Sequence, residues 1–365
     1  MAIQKLTIED FLTLAKEHPV LDVRSPGEYN QAHIPGACSL PLFTDEERKV
    51  VGTTYKQQSR EAAIKTGLDY FGVKMKKMVE ETETITSNFK LQTSNPKPQT
   101  QNTILVHCWR GGMRSAGVAW LLDLYGFKVY TLVGGYKAYR KWVLAQFEKK
   151  YGFKIVAGYT GSGKTLLLHE LAGQHKTVID LEDLAKHKGS AFGATDQPQP
   201  KQEMFENVLA EALAGAGSSL PGENGGSTAI WLEDESQRIG NLQIPMPLWY
   251  TMRKSPVLFL DIPFEERLEY ITREYGSMSR EKIEAAILRI QKRLGGLEAK
   301  NALRHLEEGK LADCFRILLH YYDKWYSKGL NNRENLASLL NKIPCKGVDT
   351  KTNVQKLLSC KTVSA

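Results

Sequence analysis

Cysteine is scarce in this chain of 365 residues, with five in all: Cys38, Cys108, Cys314, Cys345 and Cys360. No two form a C-x-x-C pair, which excludes a zinc knuckle, and so odd and sparse a set excludes a disulfide framework. A reducing cytoplasm is therefore the expected setting. Long apolar runs are missing too. The longest, such as Val257 to Ile262, have the length of a buried strand and fall far below the roughly 18 residues of a membrane span, so no membrane association is expected. The first twenty residues carry Lys5, Glu9, Asp10, Lys16 and Glu17 with no apolar block, so no secretory signal is expected. Internal repeats and long low-complexity tracts are also absent. What is present is ordinary for a globular protein: 42% apolar and 25% charged residues. The length suggests two domains of roughly 100–200 residues each. The net charge of +8 favours polyanionic partners, because binding them releases counterions.

Apolar runs punctuated by breakers place the elements. Leu21-Asp22-Val23, Ile104-Leu105-Val106 and Val129 to Val133 read as strands of a first domain, residues 1–150. Helices are expected at about Arg114 to Tyr125 and Tyr136 to Lys149. Within this domain, residues 45–100 form an insertion: helix-compatible to residue 92, then a loop from Thr93 to Thr103. A second domain, residues 151–365, opens with a strand at Lys154 to Ala157. Further strands are expected at Thr177 to Leu181, Ala229 to Leu232 and Val257 to Asp261. A Gly- and Ser-rich loop spans Gly215 to Gly226, and the chain reads as helical from about Glu265 to its end. Strands alternating with helices imply α/β units with parallel sheets covered on both faces.

Two segments carry chemistry. The first is His107-Cys108-Trp109-Arg110-Gly111-Gly112-Met113-Arg114-Ser115, set between a buried strand and a helix. A loop closing on a helix N-terminus points its N–H groups inward, and the helix dipole adds positive potential. A cysteine there has a lowered pKa and is nucleophilic as thiolate. Gly111 and Gly112 allow a tight turn, and Arg110 and Arg114 can bind anionic oxygens. Trp109 and Met113 complete a cradle for a tetrahedral oxyanion or a persulfide, with Cys108 at its floor. A buried structural cysteine is the alternative, but two arginines and two glycines in the next six residues are not core material.

The second is Gly158-Tyr159-Thr160-Gly161-Ser162-Gly163-Lys164-Thr165, which satisfies G-x-x-x-x-G-K-[ST] between a strand and a helix. Its N–H groups cradle a di- or triphosphate, Lys164 neutralises charge, and Thr165 can hold Mg²⁺. Further on, the strand at Ala229 ends in Glu233-Asp234-Glu235. Asp234 is the candidate acid near the phosphate site; a solvated charge run is the other reading. No tightly bound cofactor and no metal centre is expected.

Leu21-Asp22-Val23-Arg24, Glu28-Tyr29 and His33-Ile34-Pro35-Gly36-Ala37 resemble the rhodanese signature, and Cys108 then matches the rhodanese active cysteine. Common rhodanese loops hold six residues. Here Cys108 and Arg114 frame a longer C-x5-R loop, which resembles the dual-specificity phosphatase and arsenate reductase branch. A C-x5-R phosphatase or arsenate reductase fused to a kinase-like P-loop module is one reading. An RNA-binding or ATPase scaffold with a dispensable Cys108 is another. The joining of both modules is similar to the tRNA 2-selenouridine synthase family. Val51-Gly52-Thr53-Thr54-Tyr55-Lys56-Gln57, Asp180-Leu181-Glu182, His187-Lys188-Gly189-Ser190 and Lys292-Arg293-Leu294-Gly295-Gly296 carry the same resemblance. It implies a transferase that replaces the sulfur of wobble 2-thiouridine with selenium from selenophosphate. It also implies an S-geranyl-2-thiouridine intermediate made from geranyl diphosphate. The implied partners are the tRNA anticodon loop and a selenophosphate supplier. The cradles are expected to divide the work, with the diphosphate at the P-loop and selenium at Cys108.

Overall fold

The structure is a computed structural model that describes residues 3–92, 102–187, 197–217 and 229–360. The loops expected at Thr93 to Thr103 and Gly215 to Gly226, and Lys188-Gly189-Ser190, fall mostly or wholly outside these residues. The chain divides into two compact units, Met1–Ala145 and Gln146–Ala365.

In the first unit the elements run β1 (Gln4–Leu6), α1 (Ile8–Leu14), β2 (Val20–Asp22), α2 (Pro26–Gln31), β3 (Cys38–Ser39), α3 (Asp45–Gln57), α4 (Arg60–Gly72) and α5 (Met75–Gln92). They continue with β4 (Thr103–His107), α6 (Met113–Tyr125), β5 (Lys128–Leu132) and α7 (Gly135–Phe147). The strands form one parallel sheet in the order β1-β5-β4-β2-β3. β4 lies at its centre and is buried along its whole length, so the chain leaving its C-terminal end emerges from the middle of the sheet. This is where α/β sheets place their sites.

The insertion is three helices, started by the caps that Thr44 and Ser59 supply to α3 and α4. It is not a separate module. Phe71, Met78 and Val79 share one apolar core with Ile104, Val106, Cys108, Val118 and Leu122. Each such side chain contributes roughly 1.5–3 kcal/mol on burial. The insertion is therefore built into the first unit's own core.

The second unit begins with β6 (Phe153–Gly158), α8 (Lys164–Gly173), α9 (Leu181–Ala185), α10 (Gln202–Ala216), β7 (Ile230–Glu233), β8 (Arg238–Ile239), β9 (Leu242–Gln243), α11 (Met246–Arg253) and β10 (Val257–Asp261). It ends with α12 (Phe264–Tyr275), α13 (Arg280–Leu294), α14 (Gly296–Glu307), α15 (Leu311–Asn331), α16 (Leu336–Leu339), β11 (Leu340–Pro344) and α17 (Thr350–Ser359). The main sheet is parallel, in the order β11-β10-β6-β7. Val156, Leu167, Leu258 and Ile343 belong to the sheet's core, whereas Ile271, Ile287, Ala302 and Phe315 form a second core among α12 to α15.

Two expectations need correction. The strand expected at Thr177 to Leu181 is reduced to a single bridge between Val178 and Trp231. Asp180 accepts a hydrogen bond from the Asp183 N–H and starts α9 at once, so the extended run ends early. The tail is not helical throughout. β11 pairs with β10 over five residues. Its residues Leu340-Asn341-Lys342-Ile343-Pro344 bury only Ile343, a pattern too polar to announce a strand. Its edge position explains why it tolerates Pro344.

Candidate active site

The cysteine loop is assembled by three elements. β4 delivers Cys108, 3% exposed, and α6 begins at Met113. α7 closes the loop from the side: the Tyr136 N–H donates to the Cys108 carbonyl at 2.8 Å and the Lys137 N–H to the Trp109 carbonyl at 2.9 Å. With the carbonyls tied outward, the loop's own N–H groups turn to the thiol. Two glycines make this fit. Gly111 has φ +63°, and a side chain there would strike the Leu132 carbonyl; one on Gly135 would lie 2.3 Å from the Cys108 carbonyl. Burial pushes the Cys108 thiol up. Hydrogen bonds from the Ser115 side chain and from the N–H groups of Ser115, Arg110 and Gly112 outweigh it and hold the thiol below its ordinary value. The Ser115 hydroxyl lies 3.3 Å from Sγ. Main-chain donors thus shift Cys108 towards its thiolate form.

The two arginines differ. Arg110 is exposed at the loop. Arg114 donates to Glu28 at 2.7 and 3.4 Å, and Arg48, from the insertion, reaches the same carboxylate at 3.1 Å. Burial alone would raise the Glu28 pKa, but these two cations and the Ser25 N–H hold it at about 2. Glu28 thus holds two cations, Arg114 and Arg48, on one carboxylate, while Arg110 stands clear of it, exposed on the loop. Trp109 is 37% and Met113 53% exposed beside the loop. Beneath it Arg24 is buried and forks onto Asp22 with its guanidinium 3.8 Å from the Tyr136 ring; this is what the Asp-Val-Arg signature builds.

In the second unit β6 ends at Gly158, and the loop turns into α8 at Lys164. Lys164 Nζ donates to the Gly158 carbonyl at 2.9 Å, and the Thr165 hydroxyl to Glu182 at 3.3 Å. The far side of the loop is braced by helices. The Gly158 N–H donates to the Tyr326 hydroxyl at 3.2 Å, Tyr159 meets Ser327 at 3.1 Å, and Arg267 donates to the Thr160 carbonyl at 3.0 Å while forking onto Asp323. Asp234 stands at the end of the neighbouring strand. Its carboxylate accepts from the Tyr326 hydroxyl at 2.7 Å and is paired with Arg333. The acid that faces Thr165 is instead Glu182. Around it, burial and then the neighbouring carboxylates push Glu233 well up, and burial, then Glu182, push Glu235 to about 8 against the pull of Lys164. Among the described residues no three His, Cys, Asp or Glu side chains converge as a metal centre.

Several of these residues escaped the sequence reading. Glu182 was noted only as family text, and Ser115 only as the end of the cysteine segment. Glu28 is 86 positions from its partner Arg114, and Tyr326 is 168 from Gly158. Gly134 and Gly135, two adjacent glycines after a strand, are a sequence signal of close backbone approach.

A buried cysteine in an N–H cradle on one parallel sheet, and a lysine-tipped glycine loop on another, define the class: a rhodanese-like unit joined to a P-loop unit. A model described as the tRNA 2-selenouridine synthase AAA domain matches residues 151–343, and one described as the rhodanese-like domain matches residues 7–141. A tRNA 2-selenouridine synthase of Bdellovibrio bacteriovorus is 33% identical, covering 91% of this chain and 94% of its own. One of Serratia proteamaculans is 33% identical, covering 86% and 87%. The chain belongs to the tRNA 2-selenouridine synthase family. Among solved structures, the N-terminal domain of a protein from Clostridium difficile 630, described as ATP/GTP binding, is 38% identical over 39% of this chain and 99% of that one, with a TM-score of 0.33.

Proposed function

We propose that this chain exchanges the sulfur of 2-thiouridine in tRNA for selenium, with selenophosphate as donor and an S-geranyl intermediate made from geranyl diphosphate. The observation that carries the reading is the joining of two unlike anion cradles in one chain, with relatives of that name matching nearly its whole length. The chemistry needs both. Alkylation forms the S–C bond and breaks the C–O bond of geranyl diphosphate, whose diphosphate leaves with the electron pair. Lys164 and the N–H groups of Gly161 and Gly163 bind that leaving group. The alkylated sulfur is now a good leaving group: selenium of selenophosphate forms a bond to C2, the C2–S bond breaks and geranylthiol leaves, and water then cleaves the Se–P bond to release phosphate. The Cys108 thiolate and the surrounding N–H groups take the selenium donor's side of the reaction. A Mg²⁺ brought by the diphosphate would be held by the Thr165 hydroxyl and Glu182, which already face each other, and would neutralise charge on the leaving group. Five free thiols fit a reducing cytoplasm.

Mass spectrometry of tRNA nucleosides tests this. A knockout complemented with wild type should contain 2-selenouridine, and one complemented with Cys108→Ser should not, while the variant's circular dichroism matches wild type. Undiminished 2-selenouridine in Cys108→Ser would remove Cys108 from the chemistry. Turnover of a phosphate monoester without any change in tRNA nucleosides would favour the C-x5-R phosphatase reading.

A further inference from the structure

α15 is a helix with two worked faces. At about 100° per residue, Asp323, Tyr326 and Ser327 fall on one side, and this side braces the P-loop through Arg267, Gly158 and Tyr159. Tyr321, Lys324, Trp325 and Lys328 fall on the opposite side. That side is neither core nor an ordinary charged surface. Trp325 is 44% exposed, Lys324 and Lys328 are exposed, Lys328 Nζ lies 5.2 Å from the Trp325 ring, and Tyr321 meets the same ring edge-on at 6.4 Å.

α11 extends the patch. The Arg253 guanidinium donates to the Gly329 carbonyl at 3.1 Å, which sets the end of α11 beside the end of α15. Arg253 also lies 5.2 Å from the Trp249 ring, and the adjoining Tyr250 is 53% exposed. No acidic residue occurs in α11, and the one acid in the second half of α15, Asp323, is committed to Arg267. Aromatic faces interleaved with cations and free of acids suit a polyanion whose subunits can stack. Each base presents a π-face, and each phosphate a charge. A purely apolar protein partner would not call for the cations, and a duplex would not expose bases to the rings.

We propose that the α11–α15 face binds single-stranded RNA by stacking unpaired bases on Trp325 and Tyr250 while Lys324, Lys328 and Arg253 take the flanking phosphates. The inference rests on the reading of this chain as an enzyme of tRNA. It assigns to the second unit a share in holding the loop, one helix thickness away from the diphosphate cradle. RNA on the outer face and the phosphate loop on the inner face then contact the same helix.

Fluorescence anisotropy of the full-length chain with a labelled tRNA transcript, across a salt series, tests the proposal. Trp325→Ala should weaken binding about ten- to a hundredfold, with Trp325→Phe recovering much of it. Lys328→Glu changes an exposed side chain whose contact is with the Trp325 ring of the same patch; it should reduce the log–log salt slope by roughly 0.7 or more. A single-stranded oligouridylate should show the Trp325→Ala loss, and an RNA duplex of equal length should not. If wild type binds tRNA and both variants bind it equally well, the patch is not the site. An equal loss on single strand and duplex would overturn stacking. If wild type itself fails to bind tRNA, the reading beneath the proposal falls with it.

Discussion

The two loops share a plan, a buried strand running into a helix N-terminus, yet they are charged in different ways. Around Cys108 the electrostatics come mainly from the main chain: N–H groups aimed at one sulfur, a serine hydroxyl, and an arginine, Arg114, that shares Glu28 with Arg48. Around Lys164 they come from side chains: an ammonium folded back onto the Gly158 carbonyl, the facing pair Thr165 and Glu182, and buried carboxylates that crowd one another. The first arrangement creates a nucleophile without concentrating net charge, which suits a covalent or group-transfer step. The second suits the multiply charged leaving group proposed above. The supports differ in reach as well. The cysteine loop is held by α7, next in sequence to its own sheet, and the phosphate loop by helices more than a hundred positions away.

If the phosphate loop depends on that distant bracing, cutting it should be the most damaging change. Arg333→Ala removes the cation from the buried Asp234 carboxylate and leaves it the Tyr326 hydroxyl; it should destabilise the second unit by about 3–5 kcal/mol, measured by urea unfolding, and a loss below roughly 1 kcal/mol would show that the brace is slack. Next comes the ammonium. Lys164→Ala should weaken geranyl diphosphate by about 1.5–3 kcal/mol in calorimetry, with Cys108 alkylation untouched. The same titration with ATP decides between an isoprenyl diphosphate and a nucleotide, and equal affinity in variant and wild type would strip Lys164 of its role.

The third contrast concerns pH. Glu28 has its pKa depressed from 4.5 to about 2 in the folded chain. A depressed acid stabilises the fold fully above its unfolded pKa and loses that contribution as pH falls from about 4.5 through about 2. After screening by solvent this amounts to about 1–2 kcal/mol. Glu28→Gln should therefore be less stable than wild type at pH 6, and the gap should shrink below pH 4.5 and close near pH 2; a constant gap would assign the effect to packing. The smallest effect is expected at Ser115→Ala. One donor of several is lost, so the thiol pKa moves up and iodoacetamide alkylation at neutral pH slows a few-fold. An unchanged pH profile of alkylation would show that the N–H groups suffice alone.

Both cradles were legible in the sequence because their signals are local: glycines and cations at fixed spacing after an apolar run. The parallel α/β architecture was legible for the same reason. What the spacing could not carry were partners brought together by the sheet. Glu182 answers Thr165 only because α9 starts beside the end of β7, where Glu233 accepts the Glu182 N–H. Asp234, conspicuous in an acidic run, is engaged by Tyr326 and Arg333, residues that no local pattern links to it. The edge strand β11 was missed because edge pairing needs backbone groups rather than apolar side chains.

The three-helix insertion also has a bearing on how the first unit is made. It lies in the crossover between β2 and β4, so the pairing of Leu21 with Val106 waits for all of α3, α4 and α5. Length alone is a mild burden, since each doubling of a loop adds only about 0.6 kcal/mol of closure entropy. The helices form from local contacts, whereas the central strand pair is long-range and slow to find. Because Phe71 and Met78 are part of the core that β4 completes, the insertion acts as an internal template: it brings its own apolar face to the place where the last central strand must dock.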